Sequence, residues 1–557
     1  MSTPTWQRLV PALSWMGRYE RADLKHDLVA GLTTAVMLVP QGMAYALLAG
    51  LPPIVGLYAS VIPLVLYALF GSSRQLAVGP VAMVSLLVLG GVSALEPSST
   101  AQFVAYAVLL ALMVGVIQLV MGVVRAGFLV NFLSHPVISG FTSAAALIIG
   151  FNQLQHLLGL KLTRTHHIHS IVGEAWAQLG SINLWAAVVG VGGVVLLVAL
   201  KRYAPRFPRA LVVVVLGTLF VVLVGVDVKV VGEVPSGFPA PAIPLLDWGV
   251  VKALLPSALT ISLVSFMESI SVAKAFAKKG GYDIEPNQEL VGLGLANIGS
   301  AFFGGYPVTG GFSRTAVNAQ AGARTPLASL VTAAIVALVL VALTPLFEQL
   351  PRAVLAAIIL TAVAGLLDWR EVVHLWKVDR VDLGLLALTF AATLALGIEP
   401  GILVGVSASM IVFVARSTRP HTAVLGRLPG TTIYRNVKNF ESALTTPGVL
   451  VVRIDASFYF GNVTFLKEKL RALEAEAEVA PHTVVLDAAG VNMLDSSADV
   501  ALHEIVHDYE ARGIALYLAS VKGPVRAMMR RSGLWEVLGA RVVESVEEAM
   551  PRLKMAA

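Results

Sequence analysis

The sequence predicts a polytopic α-helical membrane protein of about fourteen spans, followed by a small soluble α/β domain. Three observations predict it. Of the 557 residues, 57% are hydrophobic and 13% charged, and a soluble chain of this length carries roughly twice that charged fraction. Long apolar runs recur from residue 28 to residue 417 and then stop. Two of the runs are too short to cross a bilayer alone, and each is introduced by glycine or proline at matching places in the two halves.

Taken in order, the first half reads as spans at 28–48, 53–70, a short 79–94, 101–124, 133–151, 182–200 and 210–226. The second half reads as 252–275, 287–304, a short 312–321, 326–346, 352–367, 381–397 and 399–416. Residues 1–27 are polar and amphipathic, with no apolar core before a small-residue cleavage site, so no cleaved signal peptide is expected. Basic residues orient the bundle. With residues 1–27 in the cytoplasm, the inside loops hold Arg74, Arg125, the run from Lys201 to Arg209, Lys274, Lys278, Lys279, Arg324, Arg370, Lys377 and Arg380. That is a strong positive-inside bias. An even span count returns the C-terminal side to the cytoplasm, and an inner-membrane location follows as an expectation.

After Arg416 the pattern changes. Residues 418–440 are polar and basic and read as a linker. Residues 449–454, 483–486 and 515–519 read as strands, and 462–478, 496–512 and 523–532 as helices. Strands alternating with helices imply one sheet covered by helices.

The two short spans carry the functional signal. Gln75–Val78 and Tyr306–Thr309 read as extended leads, and Gly79-Pro80 and Gly310-Gly311 punctuate the helix starts after them. If the halves are inverted repeats, the two helix N-termini face one another near the bilayer midplane. Each presents unpaired N–H groups and about half a positive charge. Arg314, one turn into the second helix, adds a full charge. Such a site favours an anion, and Ala82, Gly311 and Arg314 stand as candidates for it at the two starts.

Glu268 lies in the apolar eighth span. An intramembrane acid is costly and defaults to a role in transport. Burial favours its neutral form and a nearby Arg314 its charged form, which is the balance a proton-coupling group needs. A structural Glu268–Arg314 clasp is the competing reading. Ser265 and Ser269 share the face of Glu268, and their hydroxyls would also suit sodium. In the first span Pro40 and Gly42 are expected to break the helix, presenting Gln41 and, one turn on, Tyr45.

Several classes are excluded. The chain has no cysteine, so thiolate catalysis, disulfides and thiolate metal sites are out. No Gly-x-x-x-x-Gly-Lys-Ser/Thr loop occurs, which removes ATP hydrolysis by that device. Neither an enzyme activity nor a cofactor nor a nucleic-acid partner is expected. His166, His167 and His169 form a short tract read as solvated rather than metal-binding. The run from Lys201 to Arg209 suits anionic lipid.

Together these segments resemble the sulfate permease family of anion transporters. The matching stretches are Pro40-Gln-Gly-Met-Ala-Tyr45, Gly71-Ser-Ser-Arg74 with Val78-Gly-Pro80, Glu268-Ser-Ile-Ser271, Gly281 through Leu290, Ala296-Asn297, and Pro307 through Asn318. Val485 through Ser497 resembles the STAS domain that these transporters carry. The resemblance implies a transmembrane domain at 28–417, built as a seven-plus-seven inverted repeat like that of uracil transporters, and a STAS domain at 441–557. Spans 1–4 and 8–11 would form a moving core and spans 5–7 and 12–14 a gate. Substrate would lie between spans 3 and 10, against spans 1 and 8. By motif position the site would comprise Gln41, Tyr45, Val81, Glu268, Phe312, Ser313 and Arg314. The implied activity is elevator-type symport of a proton with a carboxylate such as fumarate, or with a small oxyanion, by a homodimer. Sodium-coupled bicarbonate transport and uncoupled anion conduction or exchange are the alternatives. One departure stands out: related STAS domains often read Asp-Ser-Ser-Gly, and here the stretch is Asp495-Ser-Ser-Ala498. Ser497 is a candidate phosphorylation site, against the plainer reading of a helix N-cap serine.

Overall fold

A computed structural model describes residues 10–550 except 18, 129–133, 161, 163–167, 205–208, 233–235 and 245, and it leaves out the side chains of His169, Ile398 and Glu399. The chain divides into two compact units, Met1–Ser409 and Met410–Ala557, described in turn.

The first unit begins with α1 (Ala12–Met16), followed by α2 (Arg21–Leu48), α3 (Pro53–Tyr58) and α4 (Ile62–Phe70). A two-residue strand, β1 (Val78–Gly79), leads into α5 (Ala82–Ser93). Then come α6 (Thr100–Val123), α7 (His135–Asn152), α8 (Leu154–Leu157), α9 (Ile168–Ala177), α10 (Leu184–Tyr203) and α11 (Arg209–Val224). The second half runs α12 (Trp248–Gly280), α13 (Pro286–Phe302), β2 (Thr309–Gly310) and α14 (Phe312–Gln320). It continues with α15 (Leu327–Leu338), α16 (Arg352–Val363), α17 (Trp369–Val378), α18 (Arg380–Leu396) and α19 (Ile398–Thr418).

Among the described residues, nine helical stretches are long and apolar enough to cross a bilayer. The other five predicted spans are the shorter α5, α11, α13, α14 and α18. The seventeen-residue α13 and α18 fall just under a full crossing. The sequence reading passed over α17, an amphipathic helix with Trp369 and Trp376 exposed.

The first span is one unbroken helix, and Pro40 sits inside it. The expected break is therefore corrected. A proline removes one hydrogen bond, and a helix packed on several sides tolerates that loss. Gly42 has a different use, because α2 and α3 cross backbone to backbone there. A Cβ placed on Gly56 would lie 2.0 Å from the Gly42 carbonyl oxygen. Gly56→Ala is expected to cost about 1–3 kcal/mol by overpacking, read as a lower midpoint of thermal unfolding in detergent. An unchanged midpoint would show that the crossing has slack.

The second unit is built on a six-stranded sheet in the order β4-β3-β5-β6-β7-β8. Its elements are β3 (Thr422–Arg427), β4 (Tyr434–Asn436), β5 (Val449–Ile454), α20 (Val463–Glu476), β6 (Thr483–Asp487), α21 (Ser496–Ala511), β7 (Ala515–Ala519), α22 (Gly523–Ser532), α23 (Leu534–Leu538) and β8 (Val542–Val543). β5 to β8 pair in parallel, and β3 is antiparallel to both β4 and β5. Alternation sorts the side chains. Leu450, Val452, Val484, Leu486, Leu516 and Leu518 face one core, while Val451, Val485 and Tyr517 face another. The segment 418–440 is thus not simply a linker, since it supplies β3 and β4 to the sheet. β4 is short and polar, and the apolar core of β3 is only the three residues Ala423–Leu425.

His421 and Asp455 join the first strand to the third. Asp455 N donates to the His421 carbonyl at 3.1 Å. The Asp455 carboxylate takes Arg453 Nε at 2.7 Å and lies 2.8 Å from His421 Nδ1. These partners, Arg453 foremost, hold the Asp455 carboxyl below its usual range. A depressed carboxyl stabilises the fold above its unfolded value near about pH 4, and that contribution disappears as pH falls through the lowered folded value. Amide exchange in β3 and β5 of the whole chain should be faster in Asp455→Asn than in the wild type at neutral pH, and the difference should close as acid protonates Asp455 in the wild type. The effect is small, because the pair is partly exposed. Identical exchange in both proteins would contradict it.

Candidate functional site

The two extended leads meet. β1 and β2 pair antiparallel, with Val78 opposite Gly310 and Gly79 opposite Thr309. α5 and α14 leave this pair by their N-terminal ends, in opposite chain directions. Neither start has a side-chain cap, so their first-turn N–H groups are left for another acceptor.

A polar scaffold fixes the leads. Asn297 on α13 donates from Nδ2 to the Val308 carbonyl at 3.1 Å and accepts Val308 N–H at 2.8 Å. Ser269 Oγ on α12 accepts Gly310 N–H at 2.8 Å and lies 2.7 Å from Thr309 Oγ1, which donates to the Ser265 carbonyl at 2.7 Å. Thr315 Oγ1 accepts Ala77 N–H at 3.1 Å, and Gly311 N–H donates to the Ala77 carbonyl at 3.1 Å. Gln118 Nε2 donates to Ser265 Oγ at 2.7 Å. The scaffold is buried throughout, and no water is needed to hold the irregular backbone.

Within this frame Arg314 is 1% exposed. Its Nη1 donates to the Pro80 carbonyl, so the guanidinium bridges from the second helix to the first lead. Its Nε and Nη2 have no partner. A Cβ on Gly311 would come 2.9 Å from Nη2, so the guanidinium packs close against the helix start. A buried charge with two idle donors is costly unless an acceptor arrives.

Glu268 lies within electrostatic reach of Arg314. Among the described residues the two form no ion pair, and Glu268 Oε2 is sealed from water without a donor. The competing reading, a Glu268–Arg314 clasp, is thus not seen as an ion pair. Tyr45 on α2 is buried and within reach of both charges. Gln41, one turn before it, has a buried Oε1 without a partner. Val81 is half-buried and Ala82 buried at the start of α5, whereas Phe312 and Ser313 are exposed. Phe312 packs against Phe276 with ring centroids 5.9 Å apart and planes tilted by 53°, and Lys279 Nζ stands 5.3 Å from the Phe276 ring. An aromatic and cationic approach therefore adjoins the second helix start.

The structure brings Tyr45, Glu268 and Arg314 within electrostatic reach of one another, with Gln41 one turn before Tyr45 on α2. It shows two roles that sequence reasoning missed. Asn297 sits in a motif quoted above, yet its grip on β2 shows only once α13 is packed. Tyr306, whose hydroxyl lies 2.9 Å from Ser85 Oγ, ties the second lead to α5. The hydroxyls of Ser265 and Ser269, considered for sodium, are committed to this scaffold. In the second unit the expected N-cap serine is corrected: Asp495 caps α21 by accepting Ala498 N–H at 2.8 Å. Ser497 is the exposed second residue of the helix. His166 and His167 lie outside the described residues, as does the side chain of His169.

Two paired, uncapped helix starts thus flank a guanidinium with two unpaired nitrogens, an arrangement suited to an anion. Residues 24–389 match the sulfate permease family and residues 442–549 the STAS domain. The chain is 42% identical over 552 residues to the chloroplastic sulfate transporter 4.1 of Arabidopsis thaliana, which spans 95% of this chain and 80% of that protein. It is 34% identical to prestin of Danio rerio, over 88% of this chain and 70% of prestin. The structure of the murine Slc26a9 anion transporter in the inward-facing state matches with a TM-score of 0.92 at 27% identity, covering 100% of this chain and 96% of that one. The protein belongs to the sulfate permease family of anion transporters and carries a STAS domain.

Proposed function

We propose that this protein is a secondary active symporter that moves a small oxyanion together with a proton. One observation carries the reading. The buried guanidinium of Arg314 keeps two donors free at the meeting point of two uncapped helix starts. An anion there completes the hydrogen bonding of the guanidinium and of the first-turn N–H groups. Glu268 is the proton carrier, since a carboxylate whose Oε2 lacks a donor gains more from taking a proton than one whose oxygens are all satisfied. Proton and anion entering together spare each other part of the desolvation cost.

Sulfate is the first substrate to test, because the relatives at 42% and 34% identity include proteins named as sulfate transporters. Fumarate is the second, since two carboxylates present similar oxygens to the same donors. The sodium-coupled reading loses support from the engagement of Ser265 and Ser269. Movement is of elevator type, with spans 1–4 and 8–11 carrying the site past spans 5–7 and 12–14. The assembly is a homodimer in the inner membrane, with both termini in the cytoplasm. The test is uptake of radiolabelled sulfate and fumarate into vesicles reconstituted with the whole chain, under imposed proton or sodium gradients. Accumulation driven by the pH gradient is expected. Accumulation driven by sodium alone, or equilibration without accumulation under either gradient, would overturn the proposal.

A further inference from the structure

α13 carries a second buried acid that the transport reading does not use. Glu289, in the first turn of that helix, is fully buried. Unlike Glu268, it is saturated with donors. Its Oε1 accepts Ser72 N–H at 2.7 Å, Ser72 Oγ at 2.7 Å and Ser73 N–H at 3.1 Å, and its Oε2 accepts Tyr67 Oη at 2.6 Å. Three of these four bonds hold the turn between α4 and β1.

The bonds continue toward the site. Ser73 Oγ accepts Leu76 N–H at 3.2 Å, two residues before β1 begins. Tyr282, seven residues ahead of Glu289 in the chain, donates to Gln75 Oε1 at 2.5 Å and accepts Arg74 N–H at 3.0 Å. From Gln75 the connection crosses to the other half. The Gln75 carbonyl accepts Asn318 Nδ2 at 2.9 Å, and Gln75 Nε2 donates to the Ala323 carbonyl at 3.3 Å. Asn318 is on α14, the helix that carries Arg314. A single turn, residues 71–75, is therefore gripped from α13 and bonded to α14, and the chain runs from it through β1 into α5.

We infer that Glu289 is a positioning residue for the anion site: through the turn at 71–75 it sets where β1, and with it the start of α5 and the Pro80 carbonyl that holds Arg314, stand relative to α14. The grip works by acceptor geometry and moves no proton. Displacement of a binding group by about 1 Å is enough to cost tenfold or more. The inference rests on the anion site proposed above, and it has a readout that needs no substrate.

In Glu289→Gln, the amide oxygen takes the place of Oε1 and its three donors, while the amide N–H₂ faces Tyr67, whose hydroxyl turns to accept. In Glu289→Ala the turn loses every anchor. Amide exchange on the purified whole chain is expected to quicken at least tenfold over Leu76–Gly79 in Glu289→Ala, with α6 and α18 still protected, and to stay near wild type in Glu289→Gln. In vesicles, KM for radiolabelled sulfate should rise about tenfold in Glu289→Ala with Vmax changed less than threefold, and stay within threefold of wild type in Glu289→Gln. A residue that merely supports folding would lower Vmax and leave KM alone. Tyr282→Phe deletes one hydroxyl and carries the same test if Glu289→Ala does not purify, with about a threefold rise in both KM and exchange. Unchanged exchange over Leu76–Gly79, or equal impairment of the alanine and glutamine variants, overturns the inference. Failure of the wild type to move sulfate or fumarate strikes the proposed function alone, because the exchange result still decides this one.

Discussion

Arg314→Ala is expected to lower the efficiency of anion uptake at least a hundredfold while leaving a folded protein. The guanidinium is the one full positive charge buried among the described residues. Two of its nitrogens are idle, so alanine removes donors that only the anion uses. Charge-assisted hydrogen bonds contribute about 1.5–3 kcal/mol each, and two of them exceed the roughly 2.7 kcal/mol that a hundredfold loss requires. Stability should fall little, since a buried charge with one protein bond contributes little net stabilisation and its removal relieves desolvation. The partner left behind is the Pro80 carbonyl. Arg314→Lys separates charge from shape. Lysine keeps the charge but lacks the planar fork that reaches both the Pro80 carbonyl and an anion, so partial recovery is expected. Equilibrium binding of radiolabelled sulfate to detergent-purified protein measures this directly. Intact binding in Arg314→Ala would make the residue purely structural.

Glu268→Gln is expected to abolish accumulation driven by a pH gradient and to spare binding within a few-fold. Glutamine has the shape of the protonated acid and cannot release a proton. For one coupled proton, each pH unit of gradient supports about tenfold accumulation of a substrate whose own charge movement is compensated. The wild type should therefore concentrate label under a two-unit gradient and the variant should only equilibrate it. Exchange of labelled against unlabelled anion should persist in Glu268→Gln, because the neutral carrier still crosses. Unchanged pH-driven accumulation would remove Glu268 from the coupling step. The contrast with Glu289 sharpens the test. Both acids lie within the helical bundle, but one has four donors and the other lacks any on Oε2. Only the unsatisfied acid should affect coupling.

The span pattern was legible because the bilayer enforces it. An apolar run must be long enough to cross, and one that is too short must be explained. That is why 312–321 in the sequence reading and Phe312–Gln320 in the structure nearly coincide. The strand at Val449–Ile454 was equally plain, since β-branched runs between polar turns have few other readings. Arg314 and Glu268 stood out for the same reason, as charges where charge is costly.

What escaped the sequence depends on distant pairs. The antiparallel contact of Val78 with Gly310 joins residues more than two hundred positions apart, and no local pattern announces it. Glu289 sits at a helix start, an ordinary place for an acid. Its meaning comes from Tyr67, Ser72 and Ser73, which only the packed bundle brings to it. Pro40 misled because its propensity is local, whereas the continuity of α2 is decided by what packs around it. The amphipathic α17 was lost because ten residues rich in charge read as a loop between two apolar runs.

The central claim is that an anion occupies the space between the starts of α5 and α14 against Arg314. The most direct measurement is an experimental structure with selenate, an analogue of sulfate with a strong anomalous signal. The account predicts a selenium peak within hydrogen-bonding range of Arg314 Nη2 and the first-turn N–H groups of both helices, absent from Arg314→Ala. A peak elsewhere in the bundle, or one that persists in that variant, would contradict it.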